Sequence, residues 1–213
     1  MAFLEMFERV ADHVRSRGAK LTFKRGRPVS ADAIDQARSR SLAPWPEELA
    51  QFFTELGEVA EFGWVEKGRG TRRAIGRVSF ARLSSCIVIP DEGSHRRIEW
   101  CDDYDFRFTK DPALAKQTAI KMRRWIPIIT EGNGDSFCLD AGRQPAPVVL
   151  NLHDWFDGGS GDNGACVGSS LTDFLHAWSQ VCFQCPSGLY WPAVLGNQGV
   201  DWSSDEFSAQ FRL

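Results

Sequence analysis

The stretch WIPIITEGNGDSFCLD, residues 125–140, decides the fold class. Trp125, Ile126, Ile128 and Ile129 make one short apolar arm; Phe137, Cys138 and Leu139 make a second. Both arms are apolar on both faces, the pattern of strands covered on two sides and not of a surface ribbon. Between them, Glu131-Gly132-Asn133-Gly134-Asp135 is turn chemistry. Asn-Gly takes the positive φ values that hairpin turns require. Asp135 is placed to fold its carboxylate back onto nearby backbone N–H groups. Pro127 brings no N–H, so the first arm starts there or passes where that donor is not needed. Pro147 to Leu152 is a third apolar run. The three runs predict neighbouring central strands at Trp125–Ile129, Phe137–Leu139 and Val148–Leu150.

Helices are expected on either side. Phe3, Phe7, Val10 and Val14 recur at helical spacing over Ala2 to Arg17, and Gly18 is a natural stop. The basic stretch Lys20, Lys24, Arg25 and Arg27 reads as a solvated connector. Ser30 caps a second helix with Asp32 in its first turn and Ile34 and Ala37 inward. Pro46 opens a third, where Leu49, Phe52, Phe53 and Leu56 form a stripe that packs on the sheet and Gly57 ends the helix. Phe62–Val65, Gly76–Leu83, Cys86–Ile89, Ile98–Trp100 and Tyr104–Phe108 are strand candidates. Asp111-Pro112 opens a helix running to about Arg124. Ala165–Val167 reads as a last short strand, and Ser170 with Asp173 caps a helix striped by Leu171, Phe174, Leu175 and Trp178. In the tail, Ser203 and Glu206 form a capping box before Phe207 and Phe211. Tyr190, Trp191 and Trp202 predict that this segment packs onto the domain.

Composition narrows the function classes. The chain has 213 residues, and 25 Lys and Arg against 28 Asp and Glu give a formal charge of −3. That is not the electrostatic footprint of a nucleic-acid binder. No long apolar run suggests a membrane span, and Glu5, Glu8, Arg9 and Asp12 make the start too charged for a signal peptide. A cytoplasmic location is expected, and with it free thiols at Cys86, Cys101, Cys138, Cys166, Cys182 and Cys185.

Chemical motifs are sparse. Cys182-x-x-Cys185 follows a helix instead of preceding one, and no second ligand pair accompanies it. Asp154, Asp157 and Asp162 share a Gly-rich loop without the closing Glu and spacing of a calcium site. His153-Asp154 has no companion hydrolase elbow, zinc motif or phosphate loop. No metal site and no cofactor are therefore expected. Glu99, Trp100, Asp102, Asp103, Tyr104 and Asp105 make the most acidic aromatic patch, with Asp91-Glu92 upstream. Its two interpretations are a solvated edge and a protein-binding surface.

The order of these motifs resembles the Smi1/Knr4 (SUKH) family. WIPI, GNGDSFCLD and Pro147-Val148-Val149-Leu150 are similar to its Trp-x-Pro strand, Gly-Asp turn, Phe-x-x-Asp strand and Pro-Val-Val strand. Ile34, Pro46 and Gly57 fall where its opening helix pair has Ile, Pro and a terminal Gly; Ser170, Phe174, Leu175 and Trp178 resemble its closing helix. Arg38 stands where the family often has Glu, and Trp45 stands for a Leu. The resemblance spans residues 30–181, with residues 1–29 an added helix and connector and residues 182–213 an extension packed on the domain. It implies an α+β fold with helices on one mostly antiparallel, strongly bent sheet. It also implies a non-enzymatic protein-binding module: a bacterial immunity protein that neutralises a cognate toxin, or a regulator of cell-wall assembly or signalling. The partner is a protein, with no nucleic acid and no membrane, and the oligomeric state stays open. The expected partner-binding residues are Glu99, Trp100, Asp102, Asp103, Tyr104, Asp105, Asp154 and Asp157. A small hydrolase or metal-dependent enzyme is the alternative, and it needs a cleft with convergent titratable groups.

Overall fold

Helix α1 (Phe3–Ser16) buries Phe3, Met6, Phe7, Val10 and Val14 along one face, and the left-handed Gly18 (φ 77°) follows its end. Strand β1 (Lys20–Lys24) comes next, then α2 (Ala31–Arg40), capped by Ser30 through Ala33 N–H, and α3 (Glu47–Leu56), which ends at Gly57 with φ 80°. Strands β2 (Glu61–Val65) and β3 (Ile75–Ser79) lead into a single 3-10 turn, Leu83–Cys86. Helix α4 (Pro112–Met122) starts at Asp111, whose carboxylate accepts Leu114 N–H at 2.9 Å. Strands β4 (Trp125–Thr130), β5 (Ser136–Asp140), β6 (Val148–Asn151) and β7 (Cys166–Gly168) precede α5 (Leu171–Gln180), and β8 (Leu195–Gly196) and β9 (Gly199–Val200) form a small ribbon in the tail. These elements come from a computed structural model that describes residues 2–41, 43–58, 60–67, 75–86, 111–153 and 162–213. The expected strands at Ile98–Trp100 and Tyr104–Phe108 lie outside the described residues.

The fold is α+β with antiparallel sheets. The three apolar runs are neighbours, in the order β4-β5-β6-β7, and β5 is buried along its whole length. Pro127 sits opposite Cys138, where the β4–β5 register slips, so its missing N–H falls at a bulge. Among the described residues the strands do not form the single strongly bent sheet implied by the resemblance. They divide into a three-stranded sheet β1-β2-β3, the four-stranded sheet and the ribbon, none of them strongly curled. The two larger sheets touch through a Phe80–Ile129 bridge and a bond from Ala81 N–H to the Ile128 carbonyl. The ladder stops there because the chain turns away at Arg82, whose carbonyl accepts Ser85 N–H.

Three sequence expectations change. Lys20–Lys24 is not a connector loop but a strand paired residue by residue with β2, from Lys20 opposite Val65 to Lys24 opposite Glu61. The strand expected over Gly76–Leu83 ends at Ser79; of the strand expected over Cys86–Ile89 only Cys86 is described, in the 3-10 turn, and the rest lies outside the described residues. Ser203 and Glu206 form no capping box. Ser203 binds Asp201, Glu206 accepts Ser187 N–H at 3.1 Å, and turns replace the helix.

The main hydrophobic core runs from Phe3 to Phe211, and Trp125, Cys138 and Val149 form a small second cluster under Met122. Leu49, Phe52, Phe53 and Leu56 are all buried in it, with Phe52 against Phe80 at 4.4 Å between ring centroids. Trp45 stacks on Phe53 and donates to the Cys86 carbonyl. The tail is part of this core: Trp191 meets Phe137 edge-on at 4.8 Å and Phe211 lies against Trp64 at 4.3 Å. To join it, the chain bends at Cys182 and Phe183, both with positive φ. Such a backbone is unfavourable for bulky residues. Phe183 is held there by stacking on Phe7 at 4.5 Å and by accepting Arg77 N–H, which covers the outer edge of β3. Among the described residues no helix is long and apolar enough to cross a membrane.

Candidate functional site

The partner-binding residues expected from sequence, Glu99, Trp100, Asp102, Asp103, Tyr104, Asp105, Asp154 and Asp157, all lie outside the described residues. Two polar features can be built from what is described. They meet at Arg77.

The first is the β4–β5 hairpin turn. Glu131 N–H bonds the Asp135 carbonyl and Gly134 N–H bonds the Glu131 carbonyl, so the loop is the three residues Gly132, Asn133 and Gly134. Only Gly134 takes positive φ, at 99°; Asn133 does not. This is a turn closed by a glycine bulge and not a two-residue Asn-Gly turn. Asn133 Oδ1 accepts Asp135 N–H, and its Nδ2 donates to Asp135 Oδ2 at 2.8 Å. Asp135 is buried, and its Oδ1 accepts the backbone N–H of His153 at 2.9 Å and lies 2.9 Å from His153 Nδ1. The carboxylate thus ties the turn to the end of β6. The His153 side chain stays about half exposed. Ser136, the adjacent hydroxyl, is engaged with Asn151 at 2.9 Å.

Glu131 is only 7% exposed, and among the described residues its Oε1 has no hydrogen-bond partner. Burial pushes its carboxyl up to about 7, with Arg77 opposing and Asp135 adding to the rise. A side chain placed on Gly132 would lie 3.6 Å from Arg77 Nη1 and 3.7 Å from Leu189, so the guanidinium and the tail roof this turn. Cys185 beside it is raised by burial and by Glu131, and burial raises Cys182 to about 12. Both are free thiols held far from the thiolate form that redox or metal chemistry uses. Among the described residues no group of three His, Cys, Asp or Glu is arranged to hold a metal ion.

The second feature is the outer face of the β1-β2-β3 sheet. Phe62, Trp64 and Val78 point into the core, so the alternate positions point out. Rows across this face read Lys20–Val65–Ile75, Thr22–Gly63–Arg77 and Lys24–Glu61–Ser79. A groove of about 320 Å³ crosses it with Gly63 at its floor. Ile75 is about half exposed beside Val65. Lys24 pairs with Glu61 at 3.3 Å, whereas neither Lys20 nor Arg77 has a carboxylate within ion-pair distance among the described residues.

The two glycines of this sheet differ in kind. A Cβ on Gly76 would strike the Trp64 indole at 2.0 Å, so packing requires glycine there. Among the described residues a Cβ on Gly63 would meet only the Gly76 carbonyl oxygen at 3.8 Å, an ordinary contact, and Gly63 does not have positive φ. The sequence carried a signal for this face in the alternation Lys20-Leu21-Thr22-Phe23-Lys24, which the concentration of charge outweighed. No protein-family model matches the chain, and a search of curated proteins returns no match.

Proposed function

We propose that the chain is a non-enzymatic protein-binding module of the Smi1/Knr4 kind. It acts as an immunity protein that binds and neutralises a cognate toxin, and the outer face of β1-β2-β3 is its contact surface. Gly63 carries this assignment. A glycine inside a strand costs about 0.5–1 kcal/mol relative to a residue with a side chain. Neither φ nor packing at Gly63 asks for that cost. A strand glycine without a fold reason marks the close approach of another backbone or ligand. Here it opens a groove with apolar Val65 and Ile75 beside it and charged residues around them, the arrangement of an interface core and rim.

The test is the affinity for the protein encoded beside this one, measured by titration calorimetry with wild type and Gly63→Val. Valine suits a strand and has room, so the melting temperature should hold or rise. Affinity should fall at least about tenfold, because the groove floor is filled. Unchanged affinity would remove the assignment to this face. The acidic patch is the competing face. Weakened binding in Asp102→Lys with Asp103→Lys, with Gly63→Val neutral, would move the contact there.

A further inference from the structure

The geometry points to a proton-controlled switch on the contact face: Glu131 competes for Arg77, and the face offers that cation to a carboxylate of its partner only while the Glu131 carboxyl is neutral. This inference rests on the protein-binding assignment made above and adds the regulation of that face.

Arg77 belongs to two places at once. On β3 it is exposed and lines the groove, in the row Thr22–Gly63–Arg77. Its guanidinium also reaches over the β4–β5 turn, where Nη1 lies 3.6 Å from the place a Cβ on Gly132 would take, one residue from Glu131. Neither place holds it. Its Nε donates to Ser79 Oγ at 3.3 Å, a long bond that a better acceptor displaces.

Glu131 is equally uncommitted. It is buried, and among the described residues its Oε1 has no partner. Buried polar atoms are nearly always bonded, so such an atom asks for a reason. A carboxyl kept for structure has its donors in place, as Asp135 does in the same turn. The groups that face Glu131 come from three elements. Arg77 of β3 favours its charged form, Asp135 before β5 opposes it, and Cys185 after α5 is a thiol held neutral. His153 touches Asp135, and the tail contributes apolar Leu189 over the turn. Arg77 is the one cation in this set.

The exchange follows from that arrangement. With the carboxyl neutral, Arg77 keeps its charge for the groove. When the proton leaves, a charge appears in a buried place, and turning the outer Arg77 side chain replaces the Ser79 bond by a charge-assisted bond to Glu131. Seen from the groove the pair is then neutral, and a partner carboxylate loses its contact. Burial places the exchange near pH 7, so the face binds more strongly below that pH and more weakly above it.

The first test needs no partner. Side-chain NMR of the full chain follows the Glu131 carboxyl carbon and the Arg77 Nε–H from about pH 5.5 to about pH 8.5. Both should move with one midpoint near 7. Glu131→Gln should hold Arg77 at its acid-side position throughout, and His153→Gln should leave the transition in place. An Arg77 signal that stays flat while Glu131 titrates overturns the inference. So does a transition that survives Glu131→Gln and disappears in His153→Gln. The second test is the affinity for the protein encoded beside this one. Wild type should bind it about tenfold more tightly at about pH 6 than at about pH 8, the loss of one charged contact. Glu131→Gln should keep the tighter affinity at both, which separates the switch from titration of the partner. An equal pH ratio in wild type and Glu131→Gln overturns the regulation and leaves the face assignment standing on Gly63→Val. Unchanged binding in Gly63→Val removes the face itself, and the regulation with it, however Arg77 titrates.

Discussion

Glu131 is the residue whose chemistry departs furthest from its usual surroundings. Its carboxyl is raised from 4.5 to about 7 by burial, so the folded chain holds a proton that the unfolded chain gives up at lower pH. The sign follows. Below about pH 4.5 both states are protonated and nothing is lost. Between about 4.5 and 7 stability declines as pH rises, and above 7 the penalty is constant at about 3 kcal/mol. Glu131→Gln should therefore match wild type in urea melts at pH 5 and exceed it at pH 8; an identical pH dependence in both chains would contradict the burial argument. Asp135 accepts His153 N–H and Asn133 Nδ2–H, and its Oδ1 lies 2.9 Å from His153 Nδ1. Asp135→Ala should cost about 1–3 kcal/mol by leaving those donors unpaired; a near-zero change in the same melts would show that water replaces it. The sequence made Asp135 legible as a turn carboxylate, since Asp beside Asn-Gly has few other uses. It did not make Glu131 legible. A glutamate in a polar turn is ordinarily solvated, and Arg77 and Leu189, which flank Gly132 in this turn, come from distant parts of the chain.

At the scale of elements, α3 is the hub. Its apolar stripe packs inward, and its two ends serve other helices. Glu55 accepts Leu4 N–H at 3.1 Å at the start of α1, and Glu48 accepts Leu171 N–H at 2.9 Å at the start of α5. Carboxylates suit those places because helix N-termini carry unsatisfied N–H groups and a positive dipole end. Phe53→Ala should cost about 3–5 kcal/mol, read from denaturant midpoints. Glu48→Ala should cost about 0.5–2 kcal/mol, the range for a lost cap. A larger loss from Glu48 than from Phe53 would invert this ranking. The stripe was legible because Leu49, Phe52, Phe53 and Leu56 repeat at helical spacing. The capping of one helix by another was not, since nothing local tells which distant N-terminus a surface glutamate will reach. β1 shows the converse limit. Only Leu21 and Phe23 carry its alternation, both partly buried, and two apolar residues among five are easily lost against a run of lysines and arginines. Arg38, where the resembled family often has Glu, pairs with Glu47 and Asp35, so that departure is absorbed on the surface.

For the molecule as a whole, a four-stranded sheet built on the β4–β5 hairpin, a three-stranded sheet facing outward and an aromatic tail share one core. The tail's packing was legible from its density of Trp and Phe. The division into two sheets was not, because it depends on where the chain leaves β4 after Ala81 and not on any strand's own pattern. The buried thiols give a whole-chain check. Cys166 is exposed and should react promptly with a thiol reagent, whereas Cys86, Cys138 and Cys182 should react only as the chain unfolds. Prompt reaction of Cys182 in the native protein would mean that the bend after α5 opens. The central claim is that the chain works by binding a protein through the outer face of β1-β2-β3. Amide hydrogen exchange of the full chain, alone and in complex with the protein encoded beside it, tests that most directly. New protection should concentrate in Lys20–Lys24 and Glu61–Val65, with the buried strands β5 and β6 unchanged. A stable complex that leaves both segments exchanging as in the free chain would contradict it.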